Sequence, residues 1–123
     1  MRAGDIAVGD IYYFENVHVF KLKFNVCVAP GLFLLVNTDK KAHNVMISRS
    51  DYPFLDYDSF VHCSWPCVYE PDEEIKGALP KGRLKLATVR EIIQCVQGCR
   101  ILPRTQKDII IPSLLAYLNT IKT

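Results

Sequence analysis

The chain lacks a long hydrophobic run. Its longest apolar stretch, residues 26–36, is broken at Pro30-Gly31 and is far too short to cross a bilayer. The first ten residues carry Asp5 and Asp10 and no apolar core, so no secretory signal is expected. The expected setting is therefore cytoplasmic, with no membrane partner. An excess of one charge is also missing: 15 Lys+Arg against 13 Asp+Glu leave a net charge of +2. That balance does not by itself argue for nucleic acid, although local clustering can still make a basic groove. Repeats, low-complexity tracts and linkers are absent, so residues 1–123 read as a single domain large enough to bury a core. With 50% hydrophobic and 23% charged residues, a disordered chain is excluded.

An even cysteine count is lacking too. Five cysteines without an export signal favour reduced thiols over a disulfide framework. Cys63/Cys67 and Cys95/Cys99 share a C-x-x-x-C spacing, and His62 adjoins the first pair. Four thiols could form a zinc site, which would make the protein a zinc-stapled structural domain. Paired C-x-x-C would be the stronger signal, and free cysteine is among the most buried residue types. The preferred expectation is core cysteines, with no metal and no cofactor.

What is present is a strong β pattern. Residues 19–28 and 32–37 read as two strands joined by a turn at Pro30-Gly31, apolar on both faces as in a covered sheet or closed barrel. Lys21 and Lys23 alternate on one face of the first strand, and the second runs out into Asn37-Thr38-Asp39. Antiparallel pairing brings those outer ends together, setting two cations beside a hydroxyl and an amide. That is a start for a phosphate site, and only a start.

Residues 9–14 should form the first strand and 15–18 a polar loop. Strands at 43–48 and 58–63 follow, with pairing resumed at Val68-Tyr69 after Pro66. Between them, Ser50-Asp51-Tyr52-Pro53-Phe54-Leu55-Asp56-Tyr57 is turn-rich yet carries four large apolar or aromatic groups. It is expected to cover a barrel mouth or line a groove. Residues 70–75 suit a short acidic helical turn. Residues 77–82 read as loop or a distorted edge strand. Leu86, Val89, Ile92, Ile93 and Val96 have helical spacing over residues 85–97, with Gly98 as the stop. A second helix is expected within 108–122. Asp108 could cap it, but a start near Ile111 puts Pro112 in the first turn. This order predicts a mainly β fold: a small, SH3-like, strongly curved barrel closed or capped by the two helices.

These pieces together resemble the MazF/PemK-type toxin family. Gly9-Asp10-Ile11-Tyr12 is similar to the family's opening strand. Lys23-Phe24-Asn25-Val26-Cys27-Val28-Ala29-Pro30 falls where the family usually shows Arg-Pro and then an apolar run. Asn37-Thr38 matches the end of its next strand. His43-Asn44-Val45-Met46-Ile47 and Asp58-Ser59-Phe60-Val61 parallel later strands, and residues 84–97 its long helix. The resemblance covers residues 9–103, leaving 104–123 as a C-terminal helical extension. It implies a metal-independent endoribonuclease of a toxin–antitoxin or phage-defence system. Such an enzyme cleaves single-stranded RNA by 2′-OH attack, leaving a 2′,3′-cyclic phosphate and a 5′-OH. It also implies a homodimer restrained by a cognate antitoxin.

On that resemblance Lys23 takes the position of the family's catalytic arginine and Thr38 that of its positioning threonine. Lysine keeps the charge but loses the planar fork that clamps phosphate. Lys21 is a second cation, and His18, just before the lysines, is a candidate proton shuttle. Lys21, Asn37, Tyr52, Tyr57 and Trp65 are the candidate RNA-binding residues, although each aromatic could equally close the core. Asp58-Ser59 reads as a pair that fixes a turn. The rival from another class is a non-catalytic SH3-like module that binds a protein or nucleic acid.

Overall fold

A computed structural model describes residues 1–122. Residue 123, the last of the extension expected over 104–123, lies outside the described residues. The β-branched and aromatic residues of the first two thirds build seven strands. These are β1 (Asp10–Asn16), β2 (Lys21–Ala29), β3 (Leu32–Asn37), β4 (Asn44–Ile47), β5 (Ser59–His62), β6 (Cys67–Val68) and β7 (Leu79–Arg83). Among the described residues two α-helices follow the strands, α1 (Leu86–Gly98) and α2 (Arg104–Ile121).

All pairings are antiparallel, in the order β4-β5-β3-β2-β1-β7, with β6 also paired to β3. The ladder does not close: β4 and β7 are its two ends, so the expected closed barrel is replaced by an open sheet. Within the sheet β3 gives its outer end to β5 at Val36 and Asn37 and its inner end to β6 at Leu32 and Phe33.

Both faces of the sheet are covered, which explains the continuous apolar runs 26–29 of β2 and 32–36 of β3. On one face Ile11, Val26, Val28, Leu34 and Val36 join Val89, Ile92 and Val96 of α1 and Ile110 and Leu114 of α2. On the other, Phe14, Cys27 and Phe33 pack with Ala3, Ile6, Cys67, Tyr69 and Ile75. The C-terminal helix thus docks on its own sheet. Gly9, at φ +92°, lies against the Tyr117 ring of α2, where a Cβ would collide with ring carbons. The Tyr117 hydroxyl donates to the Leu84 carbonyl at 2.7 Å.

Several boundaries differ from expectation. Strand β1 continues to Asn16, because residues 15 and 16 pair with Leu22 and Lys21 and only residues 17–20 turn. Residues 70–75 form no helix; a turn at 71–72 leads Glu74 into a bridge with Arg2, so long-range pairing overrides the acidic helix signal. Helix α2 begins at Arg104, behind Pro103, and not near Ile111. Pro112 lies inside it, on an exposed position where water can satisfy the carbonyl its missing N–H leaves free. Among the described residues no helix is long and apolar enough to cross a membrane.

Candidate active site

The outer ends of β2 and β3 open into a groove of about 360 Å³. Its position follows from register. Phe24 pairs with Val36, so Lys23 and Asn37 are the next residues outward on each strand. The Lys23 ammonium donates to Asn37 Oδ1 at 3.0 Å, and the Thr38 amide donates to the same oxygen at 2.9 Å. One carboxamide therefore ties the half-buried lysine to the exposed threonine, and all three residues line the groove. Val36 and Leu55, both buried, also line it.

An aromatic wall adjoins this polar edge. The Tyr13 and Phe24 rings meet at 5.0 Å, and Phe24 meets Phe54 at 5.1 Å. Lys81, from β7, reaches over the Tyr13 ring at 5.8 Å. The segment between β4 and β5 supplies Phe54, Leu55, Asp56 and Tyr57 to the lining, as its composition suggested. That segment is fixed at both ends. The Arg49 amide donates to Asp58 Oδ1 at 2.7 Å, and Ser59 Oγ donates to the Tyr57 carbonyl at 2.8 Å. The Asp58-Ser59 pair therefore fixes a turn. Among the described lining residues Asp56 is the sole carboxylate, so the groove sets two lysines against one acid.

Four other expected site residues are placed elsewhere. Tyr52 is buried at 2% exposure and cannot stack on a base. Its hydroxyl donates to Thr88 Oγ1 at 2.7 Å and accepts from the Lys85 amide at 2.9 Å, pinning the groove loop to the start of α1. It is a positioning residue. Lys21 is exposed opposite Asn16, beyond the end of β3, and does not line the groove. His18 stacks on Trp65 with centroids 3.6 Å apart and planes 15° apart, and its Nε2 lies 3.2 Å from the Pro66 carbonyl. Neither ring lines the groove, so His18 is not positioned as its proton shuttle and Trp65 is not part of its wall.

Lys23, Asn37, Thr38 and Tyr57 are brought together as expected, while Tyr13, Phe24, Phe54, Asp56 and Lys81 were missed as site residues. Phe24 and Tyr13 carried a usable signal, since alternation on paired strands sets them side by side.

The cysteines do not converge on one centre. Cys63 sits beside Cys95 and Cys99, whereas Cys67 is on the opposite face of the sheet, accepting from Asn16 Nδ2 at 3.2 Å. Among the described residues no group of three or more His, Cys, Asp or Glu could hold a metal ion. Burial pushes the Cys27 thiol up to about 12 and raises Cys63 as well, so both are poor thiolate nucleophiles. No protein-family model and no curated protein matches the chain.

Proposed function

We propose that the groove takes single-stranded RNA and that the chain is a metal-independent endoribonuclease of the MazF/PemK toxin type. On this reading the open sheet is a divergent form of the family's SH3-like, strongly curved barrel. The observation that carries the proposal is the meeting of Lys23, Asn37 and Thr38 at one edge of one groove. Those positions match the resemblance, and their chemistry suits a phosphodiester. An ammonium has three donors; the bond to Asn37 uses one and leaves the others for phosphate oxygens.

In the proposed reaction the ribose 2′-oxygen attacks the adjacent phosphorus and its proton passes to the Asp56 carboxylate. The Lys23 charge stabilises the crowded phosphorane, and Thr38 and Asn37 hold the phosphate and the lysine in place. The bond from phosphorus to the 5′-oxygen breaks, and that oxygen leaves with a proton from Lys23. The products are a 2′,3′-cyclic phosphate and a 5′-OH. Proton return from Asp56 to Lys23 through solvent restores both groups, and no water is consumed. The same reading implies a homodimer restrained by a cognate antitoxin.

The test is to incubate purified protein with a long single-stranded RNA in EDTA and to sequence the ends. Discrete cuts with cyclic-phosphate and 5′-OH ends, lost in Lys23→Ala and weakened in Thr38→Ala, are expected. Intact RNA across many sequence contexts would replace this reading with the non-catalytic binding module, which the lysine in place of the family arginine favours.

A further inference from the structure

We infer that the aromatic side of the groove is a nucleobase subsite, in which Phe54 and Tyr57 hold an unstacked base beside the phosphate at Lys23. The inference rests on the RNA reading and adds to it the part of the strand that this wall recognises. Rings from three distant segments, β1, β2 and the loop before β5, form one continuous wall at centroid spacings of 5.0 and 5.1 Å. All three rings are only partly buried, so the wall keeps open surface that a ligand can cover. Gly82 of β7 lets this happen: a Cβ there would stand 3.0 Å from Phe54 Cε2 and press on the ring.

Tyr57 lines the same groove yet is 70% exposed. Its backbone is held by the Ser59 hydroxyl and the neighbouring Asp58 contact, so the ring stands out from a fixed loop. A groove with π-faces on its wall and rim and lysines at Lys23 and Lys81 matches a ligand with a planar face and an anionic tail. An unpaired nucleotide has that chemistry. Stacking on such rings tolerates any base, so the expected preference follows stacking area: purine over pyrimidine, and either over an abasic site. Lys81 serves the backbone on the far side of the base.

Binding is measured by fluorescence anisotropy with short 2′-O-methyl strands, which lack the attacking hydroxyl and stay intact. The probes are oligo-A, oligo-U and an abasic ribose-phosphate chain. Wild-type protein should hold oligo-A most tightly and the abasic chain about tenfold or more weakly. Tyr57→Ala, an exposed change, and Phe54→Leu, which keeps apolar bulk, should each weaken oligo-A about tenfold while leaving the abasic chain within about twofold. Lys81→Ala should weaken all three probes alike. Equal affinity for oligo-A and the abasic chain would overturn the subsite, as would Tyr57 and Phe54 variants that bind like wild type. Base-dependent binding without cleavage would keep the subsite and remove the nuclease. Lys23-dependent cleavage untouched by Tyr57→Ala and Phe54→Leu would do the reverse. No binding of any probe would overturn the subsite, and intact RNA in the cleavage assay as well would overturn both.

Discussion

The β2–β3 hairpin has two unlike ends. At the turn end, residues 26–36 are buried apart from Pro30 and Gly31 sits at φ +75° under the Tyr69 backbone, whose amide donates to the Gly31 carbonyl at 2.8 Å. At the outer end, Lys21 and Leu22 are exposed, Lys23 and Phe24 half-buried, and Thr38 open to solvent. One end is anchored on both faces of the sheet; the other projects past the core and forms the groove. Stability and chemistry are thus separated along a single pair of strands, and substitutions at the two ends should fail in different ways.

The largest effect is expected at the closed end. Phe33 is fully buried and meets Phe14 and Tyr69 edge-to-face at 5.3 and 5.6 Å. Phe33→Ala should cost about 3–5 kcal/mol of unfolding free energy in urea titration. For a domain this size that approaches total stability. Gly31→Ala should cost about 2 kcal/mol or more, because a left-handed backbone gains a Cβ directed at the Tyr69 carbonyl oxygen. Near-normal melting of both variants would mean that the turn end does not carry the fold.

The closed end should also weaken in alkali. Burial raises the Cys27 thiol from its ordinary 9.0 to about 12, and the Tyr69 phenol from 10.0 to about 12. A raised folded value favours the protonated form. The unfolded chain then binds fewer protons above pH 9, and stability falls as pH rises from about 9 to 12. Below pH 9 this contribution is fully present. Melting temperature against pH should therefore drop across that window, and Cys27→Ala should flatten the drop. A drop of unchanged steepness in the variant would assign the alkaline loss elsewhere.

At the open end the signs reverse. On the proposed ribonuclease reading, Lys23→Ala should lower RNA cleavage about 10²–10³-fold, the usual cost of removing one preorganised charge donor. Its unfolding free energy should move by only about 0.5 kcal/mol, since the ammonium is half-buried and, among the described residues, its hydrogen bond is to Asn37. Equal losses of stability and cleavage would erase the contrast between the two ends.

The hairpin itself was legible because β-branched runs flank a Pro-Gly turn, and antiparallel pairing then dictates that Lys23, Asn37 and Thr38 meet. The loop before β5 was legible as groove lining from its turn residues and aromatics. Lys81 was not. It reaches Tyr13 only because β7 pairs with β1 across most of the chain, through a register shift between Ile11 and Tyr12 that no local pattern encodes. The start of α2 was hidden by Pro112, which marks a first turn more often than a helix interior. Tyr52 and Tyr57 pose the same difficulty within five residues. Both sit in one polar, aromatic segment, and the partners of the Tyr52 hydroxyl, Lys85 and Thr88, lie at the start of α1, over thirty residues away.

That pair allows the finest division between holding the groove and using it. Tyr52→Phe keeps the ring in the core but removes the hydroxyl that bridges Thr88 and the Lys85 amide. The buried Thr88 hydroxyl and the part-buried Lys85 amide lose a bond each, which should cost about 1–2 kcal/mol in stability. The loop should loosen at its anchor while the polar edge at Lys23 stays intact. Cleavage should then show a higher KM with kcat nearly unchanged, and amides around residues 52–57 should exchange faster with solvent. Tyr57→Ala should raise KM without that faster exchange, because its ring contributes nothing to the anchor. If Tyr52→Phe instead lowered kcat at constant KM, the loop would be setting the geometry of Lys23, and the boundary between support and chemistry would have to move inward to α1.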